Sequence, residues 1–334
     1  MTAFKFSSIT RRGFMAAGAA AGLSALAAPA SALPSVPRAG LIGCGAGGAR
    51  IAASLACPGA PMRLAGVCDH APEAAALASA AGVPAATDWE RFVQRPDIDI
   101  VIIATPDGLH APMAMGALEA GKHVYLLPPV AATAEEARAL CADALGRDRL
   151  LFVGMGSAAS ARWQAMGAQM AARGEAPRWI QANLPRLPFE AADAWTRGRS
   201  QSLGLAARQV FNVLYPIHHH LALGAPRQFT ALGGVFDVAP RDTADTLAVT
   251  ARYSGGTTAA ITCMPVRGDA STVVRGSWGT MALAANPGQA DSSGYDLDAF
   301  ARALSHGHPA SRRRLVDACT VQAALCDAVD ALIA

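Results

Sequence analysis

From residue 36 to residue 155 the chain alternates two hydrophobic patterns. Short runs of consecutive apolar residues, many of them β-branched, fall at 38–42, 62–68, 98–104, 123–127 and 150–153. Runs of that length, bounded by turn residues, read as buried strands. Between them apolar residues recur at helical spacing over 49–56, around Trp89 to Val93, over 111–120, and after Glu135-Glu136. Thr87-Asp88 can cap the second of these helices, and Gly121 follows the third, where helices commonly end in left-handed backbone. Strands and helices alternating in this way predict an α/β fold with a doubly wound parallel sheet. Beyond residue 155 the signals are sparser. Residues 179–184 read as a strand, and 246–253 and 257–264 flank Ser254-Gly255-Gly256, a hairpin signal. Gly276 to Thr280 reads as a further turn, and 315–333 as a closing helix that packs back on the body.

The first strand runs directly into Gly43-Cys44-Gly45-Ala46-Gly47-Gly48. Gly43, Gly45 and Gly48 fit G-x-G-x-x-G with a strand before and a helix after, the context that the motif requires. The first glycine makes a tight turn, the second lets backbone approach a pyrophosphate, and the third lets helix and strand pack closely. Amides at Ala46 and Gly47 would open the helix toward the phosphates. Asp69 ends the second strand, where a carboxylate can accept hydrogen bonds from a ribose. No Arg follows Asp69, which favours NAD, with NADP as the alternative. Thr105-Pro106-Asp107-Gly108-Leu109-His110 forms the loop at the carboxyl end of another strand, the edge where open α/β sheets bind ligands.

Composition narrows the partners. The chain is 52% hydrophobic and 16% charged, enough to bury a large core. Its formal charge of +3 comes from Lys5, Arg11 and Arg12, which sit in a first stretch of 32 residues without Asp or Glu. The rest is balanced, without a basic stripe, which argues against nucleic acid. Ser8-Ile9-Thr10-Arg11-Arg12-Gly13-Phe14-Met15, an uncharged Ala/Gly-rich run to Ala30, and Ala30-Ser31-Ala32 together resemble a twin-arginine (Tat) export signal. The expected organisation is a signal over 1–32, a Rossmann domain over 36–155 and a C-terminal domain over 156–334. The Tat machinery would be a partner, the periplasm the destination, and the mature chain free of the membrane. Seven cysteines without a C-x-x-C pair suggest buried apolar residues and no disulfide framework or zinc site.

Ala104-Thr105-Pro106-Asp107-x-x-His110, followed by Ala120-Gly121-Lys122-His123-Val124-Tyr125, resembles the Gfo/Idh/MocA oxidoreductases. The resemblance implies a Rossmann domain followed by an α+β domain whose open, mostly antiparallel sheet covers the nicotinamide and a sugar-like substrate. It also implies Thr105, Pro106 and His110 as cofactor contacts. One departure stands out. Most catalytic relatives have Glu-Lys-Pro after this strand, with the lysine as proton donor to the substrate oxygen, and here the residues are Leu127-Pro128-Pro129. General acid–base help of this kind is worth about 10²–10⁴ in rate.

A substitute is sought in Leu214-Tyr215-Pro216-Ile217-His218-His219-His220. Its Tyr-Pro-x-His core resembles a segment in a branch of the family that includes NAD-dependent glycosidases. That branch implies His218 as the proton carrier; Tyr215 could donate a proton to an oxygen, His219 is a weaker candidate because an adjacent residue on a helix points elsewhere, and His220 is expected to face solvent. Adjacent histidines on one helix cannot share an ion, so no metal is expected. Arg197 to Arg199 read as a solvated loop, and Arg312-Arg313-Arg314 as a solvated face. Two functions remain. One is an exported NAD(P)-dependent oxidoreductase for a sugar or cyclitol with a retained, internally recycled cofactor, glycosidase chemistry included. The other is a non-catalytic ligand-binding member with the same fold. An open sheet face would also suit a homo-oligomer.

Overall fold

The computed structural model describes residues 36–155, 157–185, 194–236, 242–264, 271–277, 279–283, 296–306 and 309–333, so the twin-arginine segment and its cleavage site lie outside the described residues. Six strands form the first sheet: β1 (Arg38–Ile42), β2 (Arg63–Cys68), β3 (Ala85–Ala86), β4 (Ile100–Ile103), β5 (His123–Leu126) and β6 (Leu151–Val153). All pair in parallel, in the order β3-β2-β1-β4-β5-β6. The direction of winding reverses between β1 and β4, which opens a crevice at their carboxyl ends. The connecting helices are α1 (Ala46–Ala56), α2 (Glu73–Ala81), α3 (Trp89–Val93), α4 (His110–Glu119) and α5 (Ala134–Leu145). Their starts are written locally. Asp88 accepts from the Arg91 amide at 3.1 Å, and Thr133 with Glu136 closes a capping box at α5.

The second sheet holds β7 (Trp179–Pro185), β8 (Pro226–Gly234), β9 (Thr246–Tyr253), β10 (Thr258–Met264), β11 (Ser271–Gly276) and β12 (Gly279–Leu283), in the order β12-β11-β7-β10-β9-β8. The β7–β10 pairing is parallel and the rest are antiparallel, as the mostly antiparallel expectation required. Leu247, Val249, Ala251 and Tyr253 alternate inward along β9, toward α7 (Leu205–His220). The helix α6 (Ser157–Arg173) and the edge strand β8 were not singled out in the sequence pattern.

Two final helices, α8 (Leu297–His306) and α9 (Pro309–Ile333), return to the first sheet. Phe300 of α8 packs between Tyr125 and Phe152, with ring centroids 5.5 and 5.4 Å away. Along its length α9 packs on α5 and β6 of the first layer and on α7 and β8 of the second. The solvated-face expectation for Arg312 to Arg314 therefore needs correction at its last residue. Arg314 is buried, its guanidinium 4.0 Å over the Phe152 ring, donating to Val153 O at 2.9 Å and to Asp296. Asp296 also accepts from the Tyr125 hydroxyl at 2.8 Å and the Met155 amide at 3.0 Å. This buried pair joins chain segments far apart in sequence, which local patterning cannot signal.

Candidate functional site

The glycine loop leaves β1 with Gly43 at φ +95°, a conformation that L side chains rarely adopt, and an added Cβ there would meet Ala104 O at 2.5 Å. At Gly48 an added Cβ would lie 1.9 Å from Gly43 O, so the close approach of α1 to the loop depends on glycine. Gly45 differs. It is exposed, a Cβ added there would meet no atom within 4 Å, and it starts α1 with no side-chain cap and no acidic residue in the first turn. Ala46 is exposed and Gly47 half-buried beside it. Uncapped amides at a positive helix end, reached over a bare glycine, form a cradle suited to a pyrophosphate.

Asp69 braces this loop. One carboxylate oxygen accepts from the Cys44 amide at 2.7 Å and the other from the Ala71 amide at 3.1 Å, with His70 Nδ1 at 3.2 Å. A carboxylate has about four acceptor sites, and this side chain keeps 16% of its surface exposed, so it can also accept from a ribose. Burial, aided by Asp69, pushes the Cys44 thiol up to about 12 and keeps it an inert apolar residue.

At the end of β4, Thr105 and Pro106 are half-buried, and the Thr105 hydroxyl is sealed from solvent without a hydrogen-bond partner among the described residues. His110 is buried, with Nε2 2.9 Å from Thr105 O and Nδ1 2.7 Å from Pro129 O. It thus pins the Thr105 loop to the Pro128-Pro129 turn. Burial lowers its pKa, against the pull of Asp107 and of the two carbonyls. Asp107 is wholly buried, accepts from the Ser202 hydroxyl at 2.7 Å, and has Arg208 3.5 Å from Oδ1, which carries no hydrogen bond. Gly108 donates to Gln201 O at 2.9 Å, so the loop preceding α7 closes one side of the crevice.

The first half of α7 presents a partly exposed stripe to this crevice: Leu205, Arg208, Gln209 and Asn212. Arg208 lies 4.5 Å over the Trp195 ring, Gln209 Oε1 accepts from Cys263 Sγ at 3.0 Å, and Asn212 Oδ1 is sealed without a partner among the described residues. The sequence carries a signal for this stripe, polar residues one helical turn apart in an apolar helix.

The sequence model of the Gfo/Idh/MocA family, described as an oxidoreductase family with an NAD-binding Rossmann fold, matches residues 37–166. Residues 37–166 are thus similar to the NAD-binding domain of that family. A levoglucosan dehydrogenase of Pseudarthrobacter phenanthrenivorans is 48% identical over 54 residues, 16% of this chain and 14% of that protein. A glycosyl hydrolase family 109 protein of Streptomyces filamentosus is 40% identical over 114 residues, 30% of this chain and 23% of that protein. The chain therefore matches less than a quarter of either relative's length. The solved structure of GenD2 from gentamicin A biosynthesis, in complex with NAD, superposes with a TM-score of 0.75 over 92% of this chain and 97% of that one, at 18% identity. At that identity the likeness bears on the fold, and it extends the match from the NAD-binding domain to both layers.

The second half of α7 lies away from the Thr105 loop, in the seam between the layers. Tyr215 is buried, and its hydroxyl donates to Val153 O at 3.3 Å and Arg314 O at 3.5 Å; burial raises its pKa well above the ordinary phenol value. His218 is 2% exposed, with Nε2 3.3 Å from Asp317 Oδ1, and its ring stands 5.6 Å from that of Tyr253. His219 Nδ1 lies 2.8 Å from the other Asp317 oxygen. Burial works against the Asp317 charge, yet the bonds from His218 and His219 outweigh it and hold the carboxyl down at about 2. Tyr215 is thus engaged by backbone carbonyls and His219 by Asp317, while His218 meets Asp317 through Nε2 and its Nδ1 is sealed without a hydrogen-bond partner among the described residues. His220 is half-buried instead of solvated, and burial, with His219 and Arg314, lowers it to about 4. Among the described residues no group of three or more His, Cys, Asp or Glu side chains could hold a metal. Arg199 also departs from the solvated-loop expectation: it donates to Asp330 at 2.6 Å and to Ala132 O at 2.8 Å, which ties its loop to α9.

Proposed function

We propose that the protein is an NAD(P)-dependent oxidoreductase that acts on a sugar- or cyclitol-like alcohol and holds its cofactor tightly through each turnover. The observation that carries this reading is the open cradle at Gly45, on the same sheet edge as the Thr105 loop that follows β4. Gly45, Ala46 and Gly47 would hold the pyrophosphate and Asp69 the ribose, with Thr105 and Pro106 toward the nicotinamide half. His110 holds that loop in shape. His70 in place of an arginine after Asp69 favours NAD over NADP. A bound nicotinamide supplies hydride transfer. The chain's own part is to seat the alcohol between the Thr105 loop and the α7 stripe, with Trp195 and Arg208 as one wall. Two curated relatives bear sugar-acting names, which supports the carbohydrate class. The leader with Arg11-Arg12 supports export to the periplasm, where free nicotinamide is scarce and retention matters. The partly exposed second sheet would suit a homo-oligomer.

Pro128, in the position of the usual lysine, and the sealed Tyr215 and His218 favour a second reading, a ligand-binding protein that retains the fold without turnover. Purifying the mature protein from the periplasm, denaturing it and identifying released nucleotide by mass spectrometry tests the cofactor claim. Near-stoichiometric NAD or NADP is expected. Empty protein that binds no added NAD(H) or NADP(H) would leave neither dehydrogenase nor glycosidase chemistry tenable.

A further inference from the structure

All seven cysteines are free thiols, and only Cys57 is exposed. Two of the buried ones meet where α5 packs against α9. These helices run antiparallel. Toward one end of their contact Ala144 and Leu145 line the same cleft as Leu315. Toward the other, just ahead of α5, Cys326 Sγ lies 3.6 Å from Ala132 O, and Gln322 donates to Ala131 O at 2.8 Å. One helical turn back from Leu145 is Cys141, and one turn on from Leu315 is Cys319, so the two thiols face each other between these anchors. Ala137, Ala144 and Ala318 are buried in the same core, and side chains this small let helices approach closely. The Cys319 thiol donates a hydrogen bond to the Cys141 sulfur, which lowers the Cys141 pKa and raises that of Cys319, while burial raises both. The thiols of Cys263 and Cys326 are engaged elsewhere, by Gln209 and by Gln322 with Ala132 O.

We propose that Cys141 and Cys319 form a disulfide when the protein meets a small disulfide oxidant, and that this bond staples the C-terminal helix to the Rossmann layer. The step is thiol–disulfide exchange. Cys141, whose thiolate the Cys319 hydrogen bond favours, is also the more exposed of the two, at 8% against 4%. It attacks one sulfur of the oxidant and releases the other as a thiolate, which takes up a proton. Cys319 then gives its proton to solvent and attacks Cys141 Sγ, which breaks the mixed disulfide and releases the second small thiol. Two protein thiols and one disulfide become one protein disulfide and two small thiols. The bond needs Cα atoms within about 7 Å, an approach that the small neighbouring side chains permit. It closes the long stretch of chain between α5 and α9, and long loops restrict the unfolded chain most. Through Gln322 and Asp330, α9 also holds Ala131 O and Arg199, so the staple fixes the helix on which those segments lean. Both cysteines lie outside the crevice, so the bond does not depend on the oxidoreductase reading.

Peptide mapping of the full chain tests this. Reduced protein is incubated with oxidised glutathione in native buffer and, so that burial does not limit access, at a urea concentration just below the unfolding transition. Iodoacetamide then blocks the remaining thiols, and trypsin with mass spectrometry locates the bonds. Glutathione on the exposed Cys57 shows that the oxidant has acted. The expected product joins peptide 139–147 to peptide 315–334 and is lost on reduction. Cys326 shares the second peptide with Cys319, so the joined product should persist in Cys326→Ala and vanish in Cys319→Ala and Cys141→Ala. Oxidised protein should unfold at a higher urea concentration than reduced protein, and Cys141→Ala should abolish the difference. Cys141 and Cys319 both alkylated after Cys57 has taken up glutathione overturns the proposal, as does a joined product that survives Cys319→Ala. A cross-linked protein that unfolds at the same or a lower urea concentration overturns the staple.

Discussion

The two halves of α7 carry similar numbers of polar side chains and treat them in opposite ways. Toward the crevice, the side chains of Arg208 and Asn212 make no hydrogen bond among the described residues, and the neighbouring Asp107 and Thr105 keep unpaired oxygens. Toward the seam, Tyr215, His218 Nε2 and His219 are taken up by Val153, Arg314 and Asp317, although among the described residues His218 Nδ1 and the Tyr253 hydroxyl are sealed without a hydrogen-bond partner. Residue type alone would assign chemistry to the second group, since Tyr and His move protons and Asn does not. Satisfaction by partners reverses the assignment. A polar group with its partners in place is part of the packing, whereas one without them can meet a ligand only where the surface reaches it, which the sealed Trp163 Nε1 and Tyr253 hydroxyl do not allow.

The largest effect should come from the crevice. Pro128 lies in the turn that His110 fastens to the Thr105 loop through Pro129 O. Pro128→Lys would return the family's proton donor and should raise turnover of an alcohol substrate about 10²–10⁴-fold, measured as NADH formation. No change would favour the non-catalytic reading. Leu127 is left alone because its side chain belongs to a buried apolar cluster with Cys44 and Tyr125, where a glutamate would be stranded.

In the seam, Asp296→Asn strands the buried Arg314 charge and should cost about 3–5 kcal/mol, read from urea unfolding, while the folded protein keeps its nucleotide affinity. A loss of nucleotide affinity at full stability would break the division between seam and crevice. Asp317 gives a smaller, pH-dependent effect. Its carboxyl sits at about 2 against an ordinary 3.8 and is mostly buried, so its contribution is present above the ordinary value and fades as pH falls toward the folded one. Asp317→Asn should lose on the order of 2 kcal/mol near neutral pH, and its urea midpoint should converge on that of the unaltered protein as the medium is acidified below about pH 4.

Tyr215→Phe removes one hydroxyl with long bonds of 3.3 and 3.5 Å. A cost of about 0.5–1.5 kcal/mol with unchanged kcat is expected; a collapse of kcat would restore Tyr215 to the chemistry. The smallest change belongs to Asn212→Leu, which removes a sealed, unpaired oxygen. Thermal unfolding should show stability unaltered or higher by about 1 kcal/mol, and a clear loss would mean that Asn212 belongs to the packing.

Much of the first domain was legible because its signals are local. A run such as Ile100–Ile103 can be buried on both faces only in the middle of a sheet, and Asp88 and Thr133 cap helices within three residues of themselves. Gly43 is demanded by its left-handed backbone and Gly48 by the approach of Gly43 O five residues earlier, whereas no steric demand falls on Gly45, which the motif's spacing alone picks out. The second layer was read in part. The β9–β10 hairpin carries its turn in its own sequence, but α6 and β8 take their place from what they pack against.

By itself, then, the sequence determined the parallel sheet, its winding order's starting point at the glycine loop, and the loss of the lysine at Pro128. These follow from chain stereochemistry and from residue identity. Tertiary structure decided which polar side chains are available. Tyr215 and Arg314 meet Val153 across 62 and 161 residues of chain, and His218 meets Asp317 from the far end of the second layer. Such pairings depend on how two layers dock, and free energy, not spacing along the chain, then settles which groups are spent and which stay open to a ligand.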